Sequence, residues 1–283
     1  MVVALVAHRR TPTNVALAST AGVELIPPAH AVRALAQGDI AIGRLDVSER
    51  LDGIEVGLWE LARLEGSGVR VLNSPGALVA AHDKLATSYA LAAAGVPHPT
   101  TAHVSSAKSS GPTIAPPVVV KPRFGSWGKD VVLCHNVTEL RQTLSELSTR
   151  PWFQTHGALV QELIPPLGHD LRLVVAGGSV VGAVRRIAAE GEWRTNVALG
   201  ATREPVAPPP EACALAVLAA QAIEGDLVGV DLLPRPDGGY VVLELNGAVE
   251  FNDQYALDGG DVFATTLAAL LPASEPAVET AVA

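Results

Sequence analysis

Apolar residues in this chain recur with two different periods. Short β-branched runs at Val2–Ala7, Val23–Ile26, Ile40–Ile42 and Val69–Leu72 predict strands. Stretches around Val32–Ala36 and Glu49–Leu64 carry apolar positions at helical spacing. Strands alternating with helices in this way predict a small α/β unit with a parallel sheet. Ser74 and Pro75 then open a helix as cap and first-turn residue, and it is expected to run through Asp83, Lys84 and Tyr89 to Gly95. Beyond a Ser-, Gly- and Pro-rich loop over 105–117, strands are expected at Val118–Lys121, Val131–Cys134 and Leu159–Ile164. Asn136 and Glu139 form a capping box for a helix to about Leu147. Leu171–Val175 and Val180–Ile187 read as a hairpin around Gly177-Gly178. Helices follow at Glu211–Glu224 and Asp261–Leu271, and a frayed tail is expected over 274–283.

The most informative stretch is Leu227–Phe251, two β-branched strands joined by Pro236-Asp237-Gly238-Gly239. If Asp237-Gly238 form the turn, Asp231 faces Glu244; if Gly238-Gly239 form it, Asp231 faces Asn246. In either register Asp231, Glu244 and Asn246 share one face, with Val230, Leu232, Leu243 and Leu245 on the other. Carboxylates facing each other on a ladder repel, and a hard cation turns that repulsion into binding. An oxygen-only set suits magnesium, which takes the rest of its shell from water and phosphate. A solvated polar hairpin face is the alternative.

Composition narrows the class. The 283 residues are 48% hydrophobic and 17% charged, which is globular. A net charge of −9 argues against a nucleic-acid partner. Cys134 and Cys213 fit no metal spacing and read as free thiols of a reducing, cytoplasmic protein. The opening MVVALVAHRR has no charge ahead of a short apolar run, so it predicts a first strand and not a leader. The longest apolar helical run, Ala212–Ala222, is too short to span a bilayer, so no membrane partner is expected.

Two further features carry chemistry. Lys121 ends a buried strand and roots the loop Arg123–Lys129, whose glycines let N–H groups fold over phosphates. Neither a P-loop nor a dinucleotide glycine fingerprint is present, which disfavours a dehydrogenase. Arg172, Arg185, Arg186, Arg194 and Arg203 form a basic cluster in an acidic chain, suited to holding phosphate or carboxylate.

Together, the motifs NSP…HDK (73–84), VVVKP…GSWG (118–128), LVQELI…GHDLR (159–172), VRRIAAEGEWRTN (184–196) and GVDLL…LELNG (229–247) resemble the ATP-grasp superfamily. Within it the chain resembles RimK-type glutamate ligases and LysX-type amino-carrier ligases. The resemblance implies an α/β fold of the α+β ATP-grasp type: an N-terminal parallel-sheet domain (1–73), then central (74–157) and C-terminal (158–273) subdomains clasping the nucleotide. It implies ATP and Mg2+ as cofactors, with two ions and Mn2+ as a substitute. Nucleotide contacts fall on Lys84, Lys121, Ser126, Gln161, Glu162, Leu163, Asp170 and Arg194, and metal ligands on Asp231, Glu244 and Asn246. Arg172, Arg185 and Asn196 are the catalytic candidates, at least one of the two arginines as a clamp for the reacting carboxylate or its acyl phosphate. The implied activity is amide formation through an acyl phosphate, with the 123–129 loop as lid. It joins an amino acid such as glutamate to a carboxylate, as the terminal glutamate of a peptide or protein, or as an amino-group carrier protein. A catalytically inactive nucleotide-binding regulator is the alternative of another class. A homo-oligomer is compatible with either.

Overall fold

Val3–Val6 (β1) and Ile40–Gly43 (β3) are buried at every position, as strands covered on both faces must be. In the computed structural model, which describes residues 1–20, 22–106 and 114–271, they form the centre of a parallel sheet. Its order is β2-β1-β3-β4, with β2 at Val23–Ile26 and β4 at Arg70–Leu72. Pro12–Ser19 (α1), Pro28–Ala34 (α2) and Leu58–Gly66 (α3) connect the strands. The helix expected over Glu49–Leu64 is therefore only its second half. Residues before it fold back through a Val47–Ile54 bridge, a Ser48–Asp52 side-chain bond of 2.5 Å, and positive φ at Gly53 and Gly57. Those conformations end any helix. The expected tail over 274–283 and most of the 105–117 loop lie outside the described residues.

The single helix expected after Ser74 is two helices, Pro75–His82 (α4) and Lys84–Ala93 (α5). Asp83 between them is extended (φ −83, ψ 97) and caps α5 through the N–H groups of Leu85 and Ala86. Lys84 is thus the first residue of a helix, not a mid-helix lysine.

The central sheet has the order β5-β8-β6-β7: Thr101–Val104, Ala158–Glu162, Val118–Pro122 and Val132–Cys134. Helices Val137–Leu147 (α6) and Pro151–His156 (α7) cover it. The boundary expected at 157/158 falls inside this sheet, because β8 bonds to β5 and β6. The third sheet runs β11-β10-β9-β12-β13: Thr202–Pro205, Ser179–Ile187, His169–Ala176, Leu227–Pro234 and Tyr240–Asn246. One face buries Leu173, Val175, Val230 and Leu245 against Pro210–Ala222 (α8) and against Ala81 and Leu91 of α4 and α5. The other buries Val174, Ala176 and Val184 with Val262–Leu270 (α9), Phe251, Tyr255 and the N-terminal sheet.

Two single-residue bulges decide which side chains share a face. In β9–β10 the register shifts between Val180 and Gly182. In β12–β13 it shifts between Asp231 and Leu232. An extra residue on one strand reverses the in–out alternation beyond it.

Candidate active site

Asp231 pairs with Glu244 and Gly229 with Asn246, so the carboxylate ladder exists in the first of the two expected registers. The bulge places Leu243 on the same side as Glu244. Leu233 and Leu243 both line the cleft, where strict alternation puts Leu243 in the core. Val242 and Leu245 remain under α8.

The β9–β10 bulge corrects the arginine assignment. Counted from Gly177-Gly178 without it, Arg185 shares the face of Arg172. With it, Arg172 pairs with Val184 and Arg186 with Asp170. Arg185 lies on the opposite face, where its Nη2 meets Glu204 of β11 at 2.7 Å. Arg186 replaces it and is 4% exposed. It donates to both oxygens of Asp170 and to Asp231 Oδ2 at 2.8 Å. Arg172 grips the same carboxylate, Nε and Nη2 each 2.6 Å from Asp231. Thr195 Oγ1 donates to Asp170 at 2.6 Å.

Burial would push the Asp231 carboxyl up, yet the two guanidinium groups hold it far below the usual carboxylate range. Burial dominates at Asp170, which is raised despite Arg186. Asp170 is fully buried, is not part of the cleft wall, and holds Arg186. Arg172 is likewise committed to Asp231.

The cleft lies between the central and C-terminal sheets and encloses about 960 Å3, solvent at its mouth included. Lys84, Lys121, Ser126, Gln161, Glu162, Leu163, Arg194, Asn196, Asp231 and Glu244 all line it, together with Arg186 and Thr195. Lys121 is 5% exposed and donates to Gln161 Oε1 at 2.7 Å. Burial lowers its pKa to about 8, with Glu244 opposing, Lys84 adding and Asp231 opposing. Lys84 Nζ lies 2.7 Å from the Gly125 carbonyl and 3.4 Å from Glu244 Oε2. Gln161 is fixed by Lys121 and by Thr101 Oγ1, and the Glu162 N–H is donated to Thr100. Leu163 is the first residue of that segment beyond the strand.

The loop expected as a lid is partly tied down. Arg123 pairs with both oxygens of Asp83, at 2.7 and 2.5 Å, and Phe124 bridges to Asp83. Arg194 reaches the Gly128 and Val131 carbonyls from the C-terminal side at 3.2 and 3.3 Å.

Residues 81–269 match the RimK-like ATP-grasp domain model. The chain belongs to the RimK-like ATP-grasp family. It is 33% identical over 217 residues to the glutamate–LysW ligase ArgX of Sulfurisphaera tokodaii, covering 75% of this chain and 76% of that one. It is 31% identical over 204 residues to the α-aminoadipate–LysW ligase LysX of Saccharolobus solfataricus, covering 70% and 73%. The fold matches a RimK-domain ATP-grasp protein of Sphaerobacter thermophilus with TM-score 0.66 and 24% identity, covering 95% and 98%. This RimK-like protein is accordingly an ATP-dependent ligase of a family that binds ATP and Mg2+. No helix among its described residues is long and apolar enough to cross a membrane.

The residues of this RimK-like chain fit a hard cation at the ladder. Glu244 lines the cleft, and Asn246 lies two residues further along β13 on the same face, outside the cleft lining. The donor set is two carboxylates and an amide, all oxygen. Among the described residues no group of three or more His, Cys, Asp or Glu gathers anywhere, so a more conventional protein cage is absent there. Sequence reasoning named Arg186 in the basic cluster but gave the clamp to Arg172 and Arg185, and it gave Thr195 and Asn73 no site role. Asn73 bonds Asp226, Leu227 and the Gly247 carbonyl and so fixes the ladder against α4. A buried bulge has no reliable local sequence signal, and Asn73 meets partners over 150 positions away.

Proposed function

We propose that this ligase joins an amino acid with an acidic side chain, glutamate or α-aminoadipate, through its amine to a carboxylate on a small carrier protein. The single observation that carries the reading is convergence. Lys84, Lys121, Arg186 and Glu244 line one cleft with the Gln161–Leu163 segment, so phosphate-neutralising and cation-holding groups lie beside a nucleotide seat. The named activities of the two relatives support the amine and the carrier.

Lys121 and Lys84 neutralise the β- and γ-phosphates, and the Leu163 backbone receives the base. Asp231, Glu244 and Asn246 would hold Mg2+, which offsets charge on the transferring phosphoryl group. The acceptor carboxylate attacks the γ-phosphorus and ADP leaves, giving an acyl phosphate. Amine attack on its carbonyl then releases phosphate and forms the amide. Arg186, which lines the cleft, is the cation placed to neutralise the acyl phosphate, and Arg172 holds Asp231 in place. Loop 126–128 excludes water that would hydrolyse it.

Without hydroxylamine, multiple-turnover ADP release should require both an acidic amino acid and a glutamate-ending carrier or peptide. Hydroxylamine should trap the acyl phosphate from the acceptor with MgATP alone. Tight ATP binding with no stimulation by any acceptor, and no hydroxamate, would sink the reading.

A further inference from the structure

Beyond the metal ladder, at the end of the site away from the nucleotide seat, stands a carboxylate with one oxygen uncommitted. Along β12, Leu233 and Asp231 line the cleft. Gly229, two residues further on the same face, is overlaid by Val249: a Cβ there would meet Val249 Cγ2 at 2.5 Å. At about 3.4 Å per residue, the 247–251 loop therefore begins roughly 7 Å past Asp231. It is pinned by the N-terminal domain. Thr13 Oγ1 exchanges hydrogen bonds with both backbone groups of Phe251, at 2.9 and 3.0 Å. Arg44, whose side chain is fully buried, donates to the Val249 carbonyl and to Asn14 Oδ1, each at 2.6 Å.

Glu250 rides on this platform with 43% of its side chain exposed. Its Oε1 accepts from Thr11 Oγ1 at 2.7 Å and from Arg44 Nη2 at 3.3 Å. Oε2 accepts no hydrogen bond among the described residues. Glu250 is also a counter-charge for the buried Arg44, which Val249 and Asn14 hold through neutral oxygens, but that pairing uses only Oε1 and leaves Oε2 outward. Charge separates the two ends of the site. The cleft lining carries Lys84, Lys121, Arg186 and Arg194 against Glu162, Asp231 and Glu244, four positive against three negative. At the far end, Arg9 and Arg44 stand with Asp46, Glu55 and Glu250, two positive against three negative.

We infer that Glu250 is the subsite for the ammonium group of the incoming amino acid, with Thr11 and Arg44 holding its carboxylate in place. The inference rests on the ligase reading and extends it by naming where the amine substrate docks. A carboxylate fixed by two donors, with its second oxygen outward, meets an ammonium group without reorganising.

The test compares L-glutamate with glutarate, the same diacid without the amine, by calorimetry on full-length protein with Mg2+ and a non-hydrolysable ATP analogue. Wild type should bind glutamate at least about tenfold more tightly than glutarate, a difference of about 1.4 kcal/mol. E250Q keeps the acceptor for Thr11 and loses the charge, so it should bind the two diacids alike. E250D should recover part of the preference, nucleotide affinity should be unchanged in both, and E250Q should stay folded with a lowered apo melting temperature, because buried Arg44 loses a counter-charge. A preference retained in E250Q, a wild type that does not discriminate or binds neither diacid, or nucleotide affinity falling in parallel overturns the inference. Discrimination without amide formation would instead count against the ligase reading and leave this subsite standing.

Discussion

Lys121 should make nucleotide binding a proton-uptake event. Lys121 is 5% exposed, and its ammonium has Gln161 Oε1 as hydrogen-bond partner among the described residues. Burial brings its pKa to about 8 from an ordinary 10.5. Placing a triphosphate against it restores an opposite charge and drives the pKa back up. At pH 7 about 0.1 of free protein has lost this proton, at pH 8 about 0.5, and at pH 9 about 0.9; nucleotide binding restores that amount. If only the protonated form binds well, apparent Kd rises about tenfold between pH 7 and 9. Calorimetry of MgATP binding in buffers of different ionisation enthalpy reads the uptake directly, and Lys121→Met should abolish it while weakening binding at every pH. An uptake near zero at pH 8 would show that Lys121 titrates normally or does not meet phosphate. Stability follows the same linkage. The folded pKa lies below the unfolded one, so between about 8 and 10.5 the unfolded chain holds more protons and apo stability gains with rising pH. The full displacement is about 3 kcal/mol.

Arg186→Ala should cost about 3–5 kcal/mol in urea unfolding, because Asp170 and Asp231 then lose a buried countercharge. Arg185→Ala, exposed on the other face, should cost under about 0.5 kcal/mol and spare turnover; equal effects would mean the face assignment is wrong. Glu244→Ala should remove Mg-dependent turnover while the apo melting temperature holds, since the change relieves repulsion across from Asp231 and forfeits one 3.4 Å contact to Lys84. A clear fall in melting temperature would make Glu244 structural. Within the loop, MgATP should slow hydrogen exchange at residues 126–128 far more than at 123–125, which Asp83 and Lys84 already secure; uniform protection, or none, contradicts this reading of the lid.

Most element types and their order were legible in the residues, because strand and helix periods are local properties of a few neighbouring positions; the short α1, β5, α7 and β11 were not expected. So were the chemical kinds of the site: an oxygen-only ladder at Asp231, Glu244 and Asn246, and lysines at 84 and 121. Where a helix breaks was less legible. Asp83 gives way to a tertiary demand, since its carboxylate must meet Arg123 across 40 positions while capping α5. The faces of Arg185, Arg186 and Leu243 were decided only in the folded sheets. A two-residue alternation carries a sign, and one inserted residue at the β9–β10 or β12–β13 bulge reverses that sign for everything beyond it. Whether a bulge forms depends on packing against α8, α9 and the N-terminal sheet, which lie far away along the chain. The same holds for Arg44 with Glu250 and Asn73 with Leu227: each residue is unremarkable where it stands, and its partner is chosen by how three sheets pack.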